Sequence, residues 1–239
     1  MLKQALSVSL LALSIHAVAE EESQTRPYLD GYTELGLLNT EGNTDTSSLN
    51  GKFGIKRYGE LWDSTLKLQA LKSQEDNVTS KEKYYAEVQF DRNLNDTTYL
   101  LVHADQERAR FSGFDYQTTV AVGYGYRALD SQDMKLDLEM GPGYRRDKLT
   151  EGAVIDDEEI ARLALSYSWK IGEGTDFTQT ANTELGNANS SFESETGLKS
   201  QINGSLATKL TYKYKYVDQV PDDNNHVDTE FGVTLVYSF

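Results

Sequence analysis

The sequence predicts an all-β fold, a transmembrane antiparallel β-barrel of about 12 strands, on the strength of three observations. Strict two-residue alternation of apolar and polar side chains recurs in segments along most of the chain. Short turns alternate with longer polar connections between those segments. Aromatic residues fall near both ends of the segments and on their apolar face, where a membrane boundary solvates a ring with a polar edge.

The elements are justified in chain order. Residues 1–19, MLKQALSVSLLALSIHAVA, carry Lys3, an apolar stretch from Ala5 to Ile15 and small residues at Ala17 and Ala19. This is the pattern of a secretory signal peptide cleaved after Ala19, and the apolar stretch is short for a helical span of about 20 residues. Residues 20–239 then form the barrel domain, and that part holds no apolar run long enough for a membrane helix.

Alternation places the strands near Tyr28–Asn39, Ser47–Tyr58, Trp62–Ser73, Lys83–Asn93, Thr97–Arg110 and Tyr116–Leu129. It places the rest near Met134–Lys148, Glu158–Ile171, Thr175–Gly186, Phe192–Ile202, Ser205–Val217 and Val227–Phe239. In EKYYAEVQFDRN, for example, Tyr84, Ala86, Val88 and Phe90 share one face while Tyr85, Glu87, Gln89 and Asp91 share the other. Such lengths approach or exceed the 9–11 residues that a tilted strand needs to cross a bilayer.

The tight connections read GEL, LND, DSQD, GEG and NG. The longer ones read TEGNTDT, QEDNVTSKE, FSGFD, LTEGAVIDD, NANSS and DQVPDDNNH. Turns of one kind on one side of a membrane are expected of a barrel, which would put the tight turns and both termini in the periplasm. Pro142, within GPGY, removes a ladder donor from the seventh segment and predicts a bulge or kink, or a division into two shorter strands. The final strand alternates up to Phe239, which resembles the terminal aromatic through which the barrel-assembly machinery reads its clients.

Composition narrows the partners. Asp and Glu outnumber Lys and Arg 38 to 23, a balance that repels phosphates and argues against nucleic acid. Cysteine is absent, which excludes disulfides and thiolate metal sites. Outer-membrane lipid is the expected surroundings, and no cofactor is implied.

The candidate functional surface is the set of charges predicted to point inward, led by Lys67, Glu87, Asp105, Glu139, Arg162, Lys213, Lys215 and Glu230. Two readings stay open: a region that screens small ions or solutes by charge, or ion pairs that fill and stiffen a narrow barrel. His103 is predicted inward beside Asp105, away from the lipid-facing edge where a membrane lipase holds its base, so no catalytic residue is assigned. A lipid-modifying enzyme using His103 is the alternative. DDEE at Asp156–Glu159 and PDDNN at Pro221–Asn225 lack calcium-loop spacing and read as solvated loops, so no metal site is assigned.

The stretch EGNTDT, from Glu41 to Thr46, is a turn rich in residues tolerant of positive φ. It resembles the TGNT(D/E)T turn of the salt-induced outer-membrane protein family, with Glu41 in place of the usual Thr. GPGYR at Gly141–Arg145 resembles a recurring segment of that family, and the likeness runs through the chain beyond residue 19. The resemblance implies an outer-membrane barrel and a link to salt or osmotic stress, and it brings no catalytic or binding residue.

Overall fold

The computed structural model describes residues 28–40, 46–110, 112, 114–149, 155–220 and 225–239. The expected signal peptide and residues 41–45 of the family turn lie outside the described residues. Twelve strands form one closed sheet in which every strand pairs with its sequence neighbours and β1 pairs with β12. They are β1 (Tyr28–Thr40), β2 (Thr46–Tyr58), β3 (Trp62–Glu75), β4 (Val78–Asn93), β5 (Thr98–Arg110) and β6 (Phe114–Asp130). Then follow β7 (Met134–Leu149), β8 (Ile155–Gly172), β9 (Thr175–Gly186), β10 (Ser190–Asn203), β11 (Leu206–Val217) and β12 (Val227–Ser238). No helix among the described residues is long and apolar enough to cross a membrane.

Burial in this barrel is inverted relative to a water-soluble protein. The most enclosed side chains include Glu34, Asp63, Lys83, His103, Arg145 and Arg162, whereas Leu37 and Phe231 stand 80% and 74% exposed. On β5, Tyr99, Leu101, His103, Asp105 and Glu107 turn inward, while Leu100 and Val102 turn outward. An apolar exterior this continuous is stable against acyl chains and not against water. Rings gather at both edges of that exterior. Tyr124, Tyr126, Trp169 and Tyr237 stand near the end that holds Tyr28 and Phe239, hereafter the terminal end, while Tyr84, Tyr144, Phe192 and Tyr212 stand near the far end.

The connections depart from the expected alternation of short and long. The QEDNVTSKE connection closes as a two-residue turn at Asp76 and Asn77, with φ of 48° and 63°. Positive φ at both central residues is the primed hairpin geometry that matches strand twist, and Asp and Asn tolerate it. The polar residues on either side continue the ladder, because backbone pairing outside the bilayer needs no apolar side chain. FSGFD and NANSS likewise shrink to residues 111–113 and 187–189, and Asp156–Glu159 lies on β8 and not in a loop. Only the connection from Asp218 to His226 remains long among those at the far end, and residues 221–224 of it lie outside the described set.

Pro142 causes neither a bulge nor a division of β7. It sits on the outer face, pairs in register with Ala161 of β8, and the register with β6 is the same on both sides of it. The register shifts against β6 lie further off, at Phe114/Tyr116 and Arg127/Leu129, and beside Pro142 the ladder lapses at Val122 and Gly123. There the backbones close in, since a Cβ on Gly141 would lie 2.0 Å from the Val122 carbonyl oxygen. Glycine therefore admits the close approach that the missing proline donor leaves open.

A second glycine shapes the lumen. Tyr99 lies flat over Gly125 of the adjacent β6, where an added Cβ would come within 2.1 Å of the ring. The Tyr99 hydroxyl thereby reaches one strand further and donates to Glu139 on β7 at 2.9 Å. Gly125→Val is expected to lower barrel stability by about 1–3 kcal/mol through overpacking. Folding in detergent, read from the heat-modifiable shift in gel mobility and the denaturant midpoint, tests this, and Tyr99→Ala in the same chain should recover most of the loss.

Candidate functional site

Alternation turns every second residue of each strand toward the barrel axis, so the lumen collects side chains that the sequence scatters over its whole length. At the terminal end, Asp63 of β3 accepts hydrogen bonds from the Gly59 backbone N–H at 3.1 Å and the Arg127 guanidinium at 3.3 Å. Arg127 also donates to Asn93 Oδ1 at 2.7 Å and lies 4.8 Å from the centre of the Tyr99 ring. A cation held over a ring and against a carboxylate fills this level.

One level further in, Glu139 is a hub. It receives Gln89 Nε2 at 2.8 Å, the Tyr99 hydroxyl at 2.9 Å and Arg162 Nη1 at 3.0 Å. The same Gln89 amide nitrogen donates to Asp91 at 2.9 Å, which turns Gln89 Oε1 toward His103 Nδ1, 3.1 Å away. His103 Nε2 meets Asp105 at 2.8 Å, and the ring is only 2% exposed. Both ring nitrogens are thus engaged on the lumen side of β5, and no hydroxyl is bonded to this histidine among the described residues.

Toward the far end, side chains cross the lumen. Lys215 of β11 reaches Glu107 of β5 at 2.6 Å, although these strands stand opposite one another in the ring. Lys83 joins Glu107 at 3.3 Å, and Lys81 joins Glu230 at 2.8 Å. Another set runs from Lys52 of β2 to Glu195 of β10 at 2.8 Å and from Lys209 to Glu34 at 2.9 Å. The lumen at these levels is no wider than two side chains laid end to end. These buried charges find their opposites, because leaving either one alone costs several kcal/mol.

Arg145 of β7 organises the far end of β7–β9. Its Nε forms an ion pair with Asp147 at 3.2 Å, and it donates through Nη1 to Glu184 at 3.3 Å and through Nη2 to Glu158 and the Asn189 carbonyl. Glu158 accepts the Ala188 backbone N–H at 3.0 Å, and Asn189 exchanges amide bonds with Gln219 at 2.8 and 2.9 Å. The guanidinium therefore holds the turn between β9 and β10 against the long connection after β11.

The strip of wall along β8 and β9 is unlike the rest. Its inward positions carry Ala164, Ser166, Thr178, Thr180 and Asn182, with Ser166 and Thr180 accessible to solvent. Lys67 also keeps 46% of its side chain accessible while bonded to Glu87 at 2.8 Å. Water-sized space therefore persists in the lumen beside the small hydroxyl residues.

Seven of the eight charges singled out in the sequence have an opposite charge within 4 Å, and the eighth, Asp105, meets the His103 ring. Lys67 joins Glu87, Asp105 meets His103, and Glu139 joins Arg162. Lys213, Lys215 and Glu230 do not join one another. They pair with Glu193 at 2.6 Å, Glu107 at 2.6 Å and Lys81 at 2.8 Å. Sequence reasoning missed Glu34, Lys83, Glu158, Glu184 and Glu195. Lys83 carried a usable signal, since it shares the parity of Tyr85 and Glu87. Glu184 carried a weaker one, since it shares the parity of Asp176, Thr178 and Thr180 while Gln179 and Thr183 dilute the apolar face of Phe177, Ala181 and Leu185.

The family description "Protein of unknown function, DUF481" matches residues 33–239. The chain belongs to the DUF481 family. A relative, "Uncharacterized protein YdiY" of Escherichia coli (strain K12), is 26% identical over 226 residues, covering 94% of this chain and 89% of its own. Among solved structures, the COG4313 outer membrane channel from Pseudomonas putida F1 has a TM-score of 0.51 at 10% identity, covering 94% of this chain and all of its own (100%). The KdgM porin in complex with oligogalacturonate has a TM-score of 0.46 at 11% identity, covering 88% and 98%. The barrel fold is thus one that outer-membrane channels share.

Removing Arg145 strands three carboxylates in an enclosed site. Arg145→Ala is expected to cost about 3–5 kcal/mol, the range for breaking a buried charge network from one side. Arg145→Lys should recover little, because one ammonium does not reproduce the spread of guanidinium donors. Denaturant unfolding of the refolded barrel in detergent measures both.

Proposed function

We propose that this protein is a non-enzymatic outer-membrane barrel that acts as a narrow passive passage for small hydrophilic ions or solutes. The supporting observation is the division of the lumen. Bridges such as Lys215–Glu107 close one part, while the β8–β9 strip, lined by Ser166, Thr178 and Thr180, keeps water-sized space. A structural role is the second reading, favoured by the same bridges, since a fully cross-linked lumen stiffens the wall without passing anything. The engagement of His103 by Gln89 and Asp105 supports the non-enzymatic reading over lipid modification. Phe239, whose backbone N–H and carbonyl both bond to Gly31, is proposed as the residue met by the assembly machinery.

Planar-bilayer recording decides between the two readings. The wild-type barrel is expected to give small, stable current steps. Lys215→Ala with Glu107→Ala should enlarge them by removing the crossing bridge, and Thr180→Trp should diminish them. Silence from barrels that are folded by gel mobility would reject the passage and leave the structural role.

The link to salt stress is carried by family resemblance alone. A deletion strain is expected to grow more slowly than its parent at high salt and equally at low salt. Matched growth curves at both salts would remove the link.

A further inference from the structure

We infer that the passage along β8–β9 selects cations, and that the carboxylates gathered around Arg145 at its far mouth impose the selection. This rests on the passage proposed above. Arg145 brings one positive charge to a site where Asp147, Glu158 and Glu184 bring three negative ones. Three carboxylates on one guanidinium leave the mouth negative, in a wall where protein and lipid screen charge far less than water does. Arg162, the other guanidinium of this wall, is matched by Glu139 at 3.0 Å, so it does not offset the excess. Across the lumen, Lys81, Lys83, Lys213 and Lys215 face three glutamates, with Glu107 shared between Lys83 and Lys215. That side carries one excess positive charge against the two excess negative charges around Arg145.

A separate observation points to a ligand of positive charge. Asp147 is 4% exposed and ion-pairs with Arg145 through Oδ2, yet its Oδ1 has no hydrogen-bond partner. Gln117, its register neighbour on β6, hydrogen-bonds the Asp147 carboxylate without closing Oδ1. A buried carboxylate oxygen left open is an acceptor waiting for a cation or its hydration water. Asn182 Oδ1, the inward acceptor next to Glu184 on β9, is open in the same way. Below it, Thr180 and Ser166 offer hydroxyls that replace hydration water for a passing ion without adding charge. The ligand class is therefore a small, hydrated, singly charged cation, either a metal ion such as potassium or an organic ammonium.

Reversal potentials of the purified full-length barrel in a bilayer under a tenfold gradient of potassium chloride test this. The unmodified protein is expected to pass potassium several-fold better than chloride. Glu184→Gln and Asp147→Asn should each bring the ratio toward one. Because either variant removes a ligand of Arg145, a measurement on the unmodified protein stands beside them. Replacing potassium by N-methyl-D-glucamine should abolish most of the current, and replacing chloride by gluconate should leave it. A ratio at or below one, or current that follows the anion, overturns the inference while the passage itself stands. Selectivity that both variants preserve overturns the role given to the Arg145 site. A folded barrel with no current removes the passage and this inference together.

Discussion

Backbone hydrogen bonding in a medium without water is the constraint on which this structure depends. Every N–H and C=O that crosses the hydrocarbon must find a partner within the protein, so a sheet that spans it has to close on itself. Closure divides the surface into two environments with opposite demands. The outer face meets acyl chains and takes Leu, Val, Phe and Tyr, while the inner face encloses buried charges such as Glu34, Lys83, Arg145 and Arg162. Polar groups confined there cannot be left to bulk solvent, so their pairing follows from the same constraint that closed the ring.

Inward charge is arranged in two ways. On the side formed by β1–β5 and β10–β12, lysines and glutamates reach across the axis or to neighbouring strands, and opposite walls are tied together. On β7–β9, arginines and acids pair along the wall, and hydroxyl residues leave the centre open. The chemistry of the side chains explains the difference. Lysine is a long, flexible point charge suited to spanning a gap, whereas the planar guanidinium gathers several acceptors close to its own backbone. Gly125 adds a third device, letting an aromatic ring lie against the wall and carry its hydroxyl to the Glu139 hub.

Much of this was legible in the sequence, because period two survives wherever one face is lipid and the other is not. The twelve strands, their order and the inward parity of residues such as Glu87, Glu139 and Lys215 follow from that contrast alone. Legibility failed where the contrast vanishes. Beyond the bilayer both faces of a hairpin are wet, so QEDNVTSKE looked like a loop although its ladder runs up to Asp76. Within β9 the apolar face of Phe177, Ala181 and Leu185 is interrupted by Gln179 and Thr183, which weakens the contrast that would have marked Glu184. Partner choice was not readable either, since Glu107 and Lys215 lie far apart in sequence and meet only because the ring brings β5 opposite β11. Pro142 misled for a different reason, because its effect depends on Gly123 and Gly141 facing each other across two strands.

The seam where the first strand meets the last has the shortest ladder in the ring. Its register runs through only four pairs, from Tyr32 with Ser238 to Leu35 with Leu235, extended by reciprocal bonds between Gly31 and Phe239. The Phe239 ring fills the notch above Gly31 and stacks near Phe53 and Tyr237. Thermal unzipping of the cylinder would begin at this junction, exposing two raw edges able to recruit another chain. The last side chain of the polypeptide thus works as a clasp, shielding the one place where the wall is thinly stitched.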